Sequence, residues 1–334
     1  MGPSCCKLIA GANLILTLLL CAAYSAFPQS RRGTDTSSPR LFETTFNKPS
    51  TDAGARPTTL RVSADLVLIS VTVTDELSHP QTNLGRENFT VLEGEQKQEI
   101  RYFSSEDSPI SVGLLLDVSR SMQDKIDTTR AAVDQFFKNA DPRDDYFVIT
   151  FNSEPQILSD VTQSTTGIEN ELDLVQPSGA TALLDAVYLG ISKLRKARYS
   201  RRALVIISDG GDNNSRYKLK EIKNLIAESD VMVYAIGIFT SGPFRSFEEL
   251  MGKRWLSTMT DKTGGRTATV ESLAKLPEEC ALLSRELRSQ YVLGYRPRAV
   301  ADGKWHKIRI VVTKSSAATQ FRSYYRKGYY AVEP

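Results

Sequence analysis

Short apolar runs alternate with amphipathic segments through the middle of this chain, from residue 111 to residue 288. The runs have the length of buried strands, and the segments between them repeat apolar residues at helical spacing. This alternation is typical of a mainly parallel sheet covered by helices. We therefore predict an α/β unit with strands over 111–118, 146–151, 156–158, 203–208, 231–239 and 266–270 and helices over 123–139, 168–175, 182–196, 219–228 and 272–288.

The segment before this unit has β character. Its apolar residues alternate over 60–73 on one phase and then on the other, which indicates a bulge or a strand buried on both faces. Residues 89–93 and 100–103, on either side of a Glu93-Gly94 turn, predict a hairpin.

The segment after the unit returns to strands, predicted over 291–295, 308–312 and 321–330. Short strands do not easily bury a face alone. We therefore expect both flanks to pack together as one small β-sandwich-like domain, into which the α/β unit is inserted.

The first residues are typical of a secretory signal. Lys7 supplies the positive charge, residues 8–23 are mostly apolar, and Ala23-Tyr24-Ser25 offers a cleavage site with small residues. An uncleaved membrane anchor remains an alternative, because about 20 apolar residues cross a bilayer. A lipoprotein acylated at Cys21 is a weaker one, since a bulky leucine precedes that cysteine.

Removal of the signal would leave Cys280 as the one cysteine, so no internal disulfide is expected. The formal net charge is only +3, which gives no reason to expect a nucleic-acid partner. The predicted division of the chain is a signal peptide over 1–26, a flexible linker over 27–57, an N-terminal β-segment over 58–107, the α/β domain over 108–277 and a C-terminal segment over 278–334.

Oxygen-bearing side chains follow two of the predicted strands and open one helix. Asp117, Ser119 and Ser121 end the first strand, Asp209 ends a later one, and Thr181 precedes a helix. In open parallel sheets, ligands bind beyond the carboxyl ends of strands where the strand order reverses. Mg²⁺ prefers such oxygen ligands and keeps several waters. We therefore predict that these five residues hold Mg²⁺, with Mn²⁺ or Ca²⁺ as other ions of suitable chemistry.

Each part of this pattern also has a simpler interpretation. Ser121 with Asp124 resembles a helix N-cap and its capping box, and Thr181 is a plausible cap of the following helix. Asp209 with Gly210 is compatible with an ordinary turn. All three in this order, at these strand ends, favour the metal site.

The D-x-S-x-S motif at 117–121, with Thr181 and Asp209, resembles the metal-ion-dependent adhesion site of von Willebrand factor type A domains. The resemblance covers about 108–280 and implies a Rossmann-like fold with a Mg²⁺-type site at the top of the central sheet. It also implies a protein partner that presents an acidic side chain to the metal. Segments 71–75, 86–93, 290–295 and 327–329 resemble, more loosely, the flanks of related domains in secreted bacterial proteins.

We therefore expect a secreted, periplasmic or cell-envelope protein that binds a protein partner through a divalent cation, and not an enzyme. Membrane contact is expected only if the signal is uncleaved. The alternatives are a structural subunit of an envelope assembly with a structural metal and a metal-dependent hydrolase. The hydrolase lacks an evident general base, because His79 and His306 are remote from the metal motifs in sequence.

Overall fold

The computed structural model describes residues 66–105, 107–239, 247–297, 302–313 and 321–331, without the side chains of 247–249. The predicted signal peptide, the linker and the first residues of the β-segment lie outside the described residues. None of the helices within the described ranges is long and apolar enough to cross a membrane.

The strands of the described ranges are β1 Val67–Thr74, β2 Phe89–Glu93, β3 Gln96–Gln98, β4 Ile100–Ser104, β5 Ser111–Asp117, β6 Asp145–Phe151, β7 Pro155–Thr162, β8 Arg202–Ser208, β9 Met232–Ile238, β10 Thr267–Val270, β11 Gln290–Tyr295, β12 Trp305–Val312, β13 Arg322–Tyr325 and β14 Gly328–Tyr330. The helices are α1 Ile126–Phe137, α2 Thr165–Asp173, α3 Leu183–Leu194, α4 Leu219–Ala227, α5 Phe247–Thr260 and α6 Leu276–Arg288.

A mainly parallel sheet forms the centre, in the order β10-β9-β8-β5-β6-β7 within the described ranges. Only β7 runs antiparallel to its neighbour there. Alternate residues of β5 enter different cores: Leu114 and Leu116 pack with α1, α2 and α6, whereas Leu115 packs with α3, α4 and α5. Helices therefore cover both faces, which explains the unbroken apolar run of β5. The predicted α/β architecture is confirmed.

Two antiparallel sheets combine strands from both ends of the described chain. Their orders within the described ranges are β13-β1-β11-β4 and β14-β12-β2-β3. Apolar residues from both sheets, including Ile69, Val91, Leu293 and Ile308, share one buried core. Strand β1 keeps an unbroken register with β11, and all residues from Val71 to Thr74 are buried. No bulge therefore interrupts the pairing of β1 with β11, whereas residues 60–65 of the predicted phase change lie outside the described residues.

Two sequence predictions about these sheets are wrong. The hairpin at Gly94 joins β2 to β3, because β4 pairs instead with β11 in the other sheet. The strand predicted over 321–330 is two strands, since β13 pairs with β1 and β14 pairs with β12. Arg326, between them, forms an isolated bridge with Thr263 while the chain crosses from one sheet to the other.

Candidate metal site

The candidate site lies at the carboxyl ends of two neighbouring strands, β5 and β8. These strands are parallel, and Leu116 pairs with Ile207, so that Asp117 and Ser208 end them side by side. Strand β6 lies on one side of β5 and β8 on the other, which makes this the point where the strand order reverses. Such points leave a crevice for ligands.

Asp117 is fully buried at this position. Its Oδ1 accepts a hydrogen bond from the Ser119 main-chain N–H at 2.9 Å, and its Oδ2 accepts one from the Ser208 hydroxyl at 2.6 Å. Burial, followed by the negative charge of Asp209, raises the pKa of Asp117 to about 6. A cation bound beside this carboxylate would favour its ionised form.

Ser119 and Ser121 lie on the loop that follows Asp117. Their hydroxyl oxygens are 3.1 Å apart, and Ser119 is buried. Residues Arg120–Met122 form a short 3-10 turn, and α1 begins only at Ile126 without a side-chain cap. The interpretation of Ser121 as the cap of this helix is therefore wrong, and its hydroxyl lies beside that of Ser119.

Main-chain hydrogen bonds attach the loop of Thr181 to the loop of Asp117. Ser178 N–H donates to the Val118 carbonyl at 2.9 Å, and Arg120 N–H donates to the Gly179 carbonyl at 3.2 Å. Gly179 has φ +79°, a conformation that glycine adopts without the steric cost of a side chain. The two loops are therefore held together by their backbones.

Thr181 is also bonded to the loop after Asp209. Its N–H donates to Asn213 Oδ1 at 2.9 Å, and its carbonyl accepts the Asn213 N–H at 3.0 Å. Thr181 does not cap α3, because the Leu184 N–H of that helix donates to Asp212 Oδ2 at 3.1 Å. Three loops thus form one hydrogen-bonded edge, with Thr181 joined to it through main-chain atoms.

Asp209 contacts an ammonium group that the sequence did not predict for this site. Lys125 Nζ lies 3.0 Å from Asp209 Oδ2, and the two side chains are only 16% and 12% exposed. Gly210 follows with φ +82°, and a Cβ there would lie 2.8 Å from the main chain of Gly252 on α5. The close approach of these two glycines fixes the turn that carries Asp209.

The structure thus brings Asp117, Ser119, Ser121 and Asp209 together at one edge and bonds Thr181 to it. Sequence reasoning missed Ser208, Lys125 and Asn213 as parts of this edge. Ser208 could have been predicted, because it is a hydroxyl residue next to Asp209 at a strand end. Nothing in the sequence indicates that Lys125 contacts Asp209, which is 84 positions away.

The donor set suits a small, hard cation. Within the described ranges, no group of three or more histidine, cysteine or acidic side chains could hold a metal. A metal at this edge would therefore use hydroxyl oxygens beside the two carboxylates, and oxygen is the donor that Mg²⁺ and Ca²⁺ prefer. The buried carboxylate of Asp117 fits such an ion, because a nearby positive charge stabilises the ionised form of a carboxylate.

Comparison with known proteins agrees with the fold. Residues 112–211 match the sequence model of the von Willebrand factor type A domain. The chain contains a domain of this family. Von Willebrand factor type A domains are commonly interaction modules that bind proteins through a divalent metal, and they are generally not enzymes.

A curated relative, an uncharacterized protein of Borreliella burgdorferi, is 22% identical over an alignment of 175 residues, and the match covers 46% of this chain and 51% of the relative. The match thus spans about half of that relative. The structure of a von Willebrand factor type A protein from Catenulispora acidiphila has a TM-score of 0.48 and 11% identity, covering 78% of this chain and 73% of that chain. The conserved hypothetical protein BatB from Bacteroides thetaiotaomicron has a TM-score of 0.44 and 16% identity, covering 54% of this chain and 100% of that chain.

Proposed function

We propose that this protein binds a protein partner through a divalent cation, with Mg²⁺ as the first candidate. The residues that would hold the ion are Asp117, Ser119, Ser121, Thr181 and Asp209. The observation that carries the proposal is the single hydrogen-bonded edge formed by the three loops of these residues. Such an edge positions the donors before any partner arrives, which reduces the entropy that binding would otherwise cost.

The partner would supply a carboxylate to the metal. Hydroxyl ligands are neutral, so the serines and Thr181 leave most of the charge of a divalent ion in place. Of the two carboxylates that could neutralise the ion, Asp209 is already paired with Lys125. The ion would therefore keep part of its positive charge. An acidic side chain from outside would then complete the coordination, and no residue of the chain has to transfer a proton.

The two histidines support binding over metal-assisted hydrolysis. His79 pairs with Asp75, and His306 lies 2.7 Å from Glu93 and 3.0 Å from Asp302. His79 follows β1 and His306 lies on β12, and both strands belong to the antiparallel sheets. Among the residues that the structure describes, neither histidine pairs with a residue of the candidate site. A hydrolase would need a general base close to the metal-bound water.

We place the protein outside the cytoplasm, in the envelope or secreted, on the strength of the signal-like residues 1–26 alone. A structural role in an envelope assembly is the second candidate. It would use the same metal without a partner's carboxylate, and metal removal would then weaken the fold and leave capture unchanged.

The test combines metal binding with partner capture. Calorimetric titration of the full chain with Mg²⁺ is expected to give one site that Asp117→Ala abolishes. Immobilised protein is expected to retain an acidic protein from the native envelope fraction with Mg²⁺ and to release it on chelation. Capture that survives both chelation and Asp117→Ala would refute the adhesion role and favour the structural one. Absence of Mg²⁺ and Mn²⁺ binding by the folded wild type would refute the metal site itself.

A further inference from the structure

Lys125 is the one cation that directly contacts an acidic side chain of the candidate site within the described ranges. Its Nζ is 3.0 Å from Asp209 Oδ2, and both side chains are largely buried. Water therefore screens the pair less than it screens a surface ion pair. The contact joins the first loop to the third, across 84 residues of sequence.

The backbone holds Lys125 in place before α1. Its N–H donates to the Met122 carbonyl at 2.9 Å, and its own carbonyl accepts both the N–H and the hydroxyl of Thr129 at 2.9 Å. The position of the lysine Cα is therefore fixed by the loop that carries Ser119 and Ser121. Only its side chain is free to leave Asp209.

Charge at the site follows from this placement. Asp117 ends β5, and Asp209 directly follows the end of the neighbouring parallel strand β8. Without Lys125 the two ionised carboxylates carry −2, and with it the set carries −1. The lysine thus removes half of the charge that would attract a divalent cation.

A divalent ion and the ammonium group also compete for the same oxygen. If Asp209 binds the ion, directly or through water, Lys125 has to turn away from Oδ2 or remain close to a second positive charge. Either outcome lowers the affinity for the ion below that of the same oxygen donors without a lysine.

We propose, on the basis of the metal site proposed above, that Lys125 is an internal competitor of the divalent cation and sets the concentration at which the site fills. Lys125 holds Asp209 when the ion is scarce and gives it up when the ion binds. The site therefore binds a divalent cation where such ions are abundant and remains unoccupied where only trace amounts are present.

The test measures Mn²⁺ binding to the full chain, with the electron paramagnetic resonance signal of free Mn²⁺ as the readout. Lys125→Gln and Lys125→Met both remove the charge, and Lys125→Met keeps the apolar stem. Lys125→Arg keeps the charge. Lys138→Gln, at the other end of α1, makes the same change in net charge far from the site. Circular dichroism establishes that each variant is folded.

Lys125→Gln and Lys125→Met are expected to bind Mn²⁺ roughly tenfold tighter than the wild type, within the usual range of coupling between two sites. Lys125→Arg and Lys138→Gln are expected to bind like the wild type. Equal tightening by Lys138→Gln would overturn the proposal, since general charge would then be the cause.

The outcomes also separate this proposal from the metal site on which it rests. If the wild type binds Mn²⁺, Asp117→Ala does not, and the two uncharged variants bind no tighter, Lys125 is not a competitor although the site stands. If neither the wild type nor the uncharged variants bind, the metal site is refuted and the competitor with it. Binding by the uncharged variants alone would overturn the proposal, because Lys125 would then block the site in the wild type instead of setting the concentration at which it fills.

Discussion

Ser208 provides the sharpest test of how this fold builds its candidate site. The side chain is fully buried at the end of β8, and its hydroxyl makes two hydrogen bonds. It donates to Asp117 Oδ2 at 2.6 Å and accepts the Gly210 N–H at 2.8 Å. Ser208→Ala removes both bonds at once and leaves a buried carboxylate oxygen and a buried N–H without these partners.

The expected loss in free energy of unfolding can be estimated from these two bonds. A hydrogen bond to a charged group contributes about 1.5–3 kcal/mol, and a buried donor left without a partner costs about 1–3 kcal/mol. Contributions from atoms in contact do not simply add. We therefore expect Ser208→Ala to lower the free energy of unfolding by about 2–4 kcal/mol, most of it through the loss of the bond to Asp117.

Urea unfolding followed by circular dichroism at pH 7.5, with a chelator present, measures this loss in the metal-free protein. Ser192→Ala is the matched control, because the Ser192 hydroxyl donates a 2.8 Å bond to the Tyr188 carbonyl within α3, away from the site. Its effect is expected to stay within about 0.5 kcal/mol. A Ser208→Ala loss no larger than that of the control would refute the role given to this hydroxyl.

Two further predictions concern glycine packing and pH. Gly252→Ala is expected to destabilise the protein although alanine favours helices, because the added Cβ would clash with the main chain of Gly210. Gly167→Ala in α2 is expected to stabilise the protein by up to about 1 kcal/mol, because the nearest atom to its Cβ would be 3.8 Å away. Equal shifts in thermal midpoint for the two variants would contradict this. The hydrogen bond that His306 donates to the Asp302 carboxylate raises the pKa of His306 above 6.5. The stabilising effect of this bond is complete below pH 6.5 and is lost as pH rises through the raised pKa. The stability difference between the wild type and Asp302→Asn should therefore shrink from pH 6 to pH 9 in urea unfolding, and a constant difference would rule out this linkage.

The elements of the α/β unit were predictable because their signals are local. Strand β5 was predicted to within one residue at its carboxyl end, since all seven of its residues are buried between two layers of helices. The start of α1 was not, because the polar residues after Ser121 fit a helix equally well. In the fold, Arg120–Met122 form a 3-10 turn, residues 123–125 form a further turn, and the helix begins at Ile126.

The β-segments were less predictable, because their partners are distant in sequence. The alternation of residues 321–330 continues through two strands, and only pairing with β1 and with β12 separates them. Likewise, the apolar residues of β4 do not reveal that it pairs with β11, whose Leu293 lies opposite Phe103. Periodicity predicts that a segment is a strand, but not which edge of which sheet it joins.

By itself, the sequence determined the alternation of strands and helices, the residues at or just after the strand ends, namely Asp117, Ser119, Ser121 and Asp209, and Thr181 before a helix. These follow from hydrophobic periodicity and from the oxygen chemistry of a few side chains, both of which are local properties. Only the tertiary structure decided that Ser208 donates to Asp117, that Asn213 bonds Thr181 and that Lys125 pairs with Asp209. Such contacts join residues dozens of positions apart, and they exist only when the sheet has brought the ends of β5 and β8 side by side.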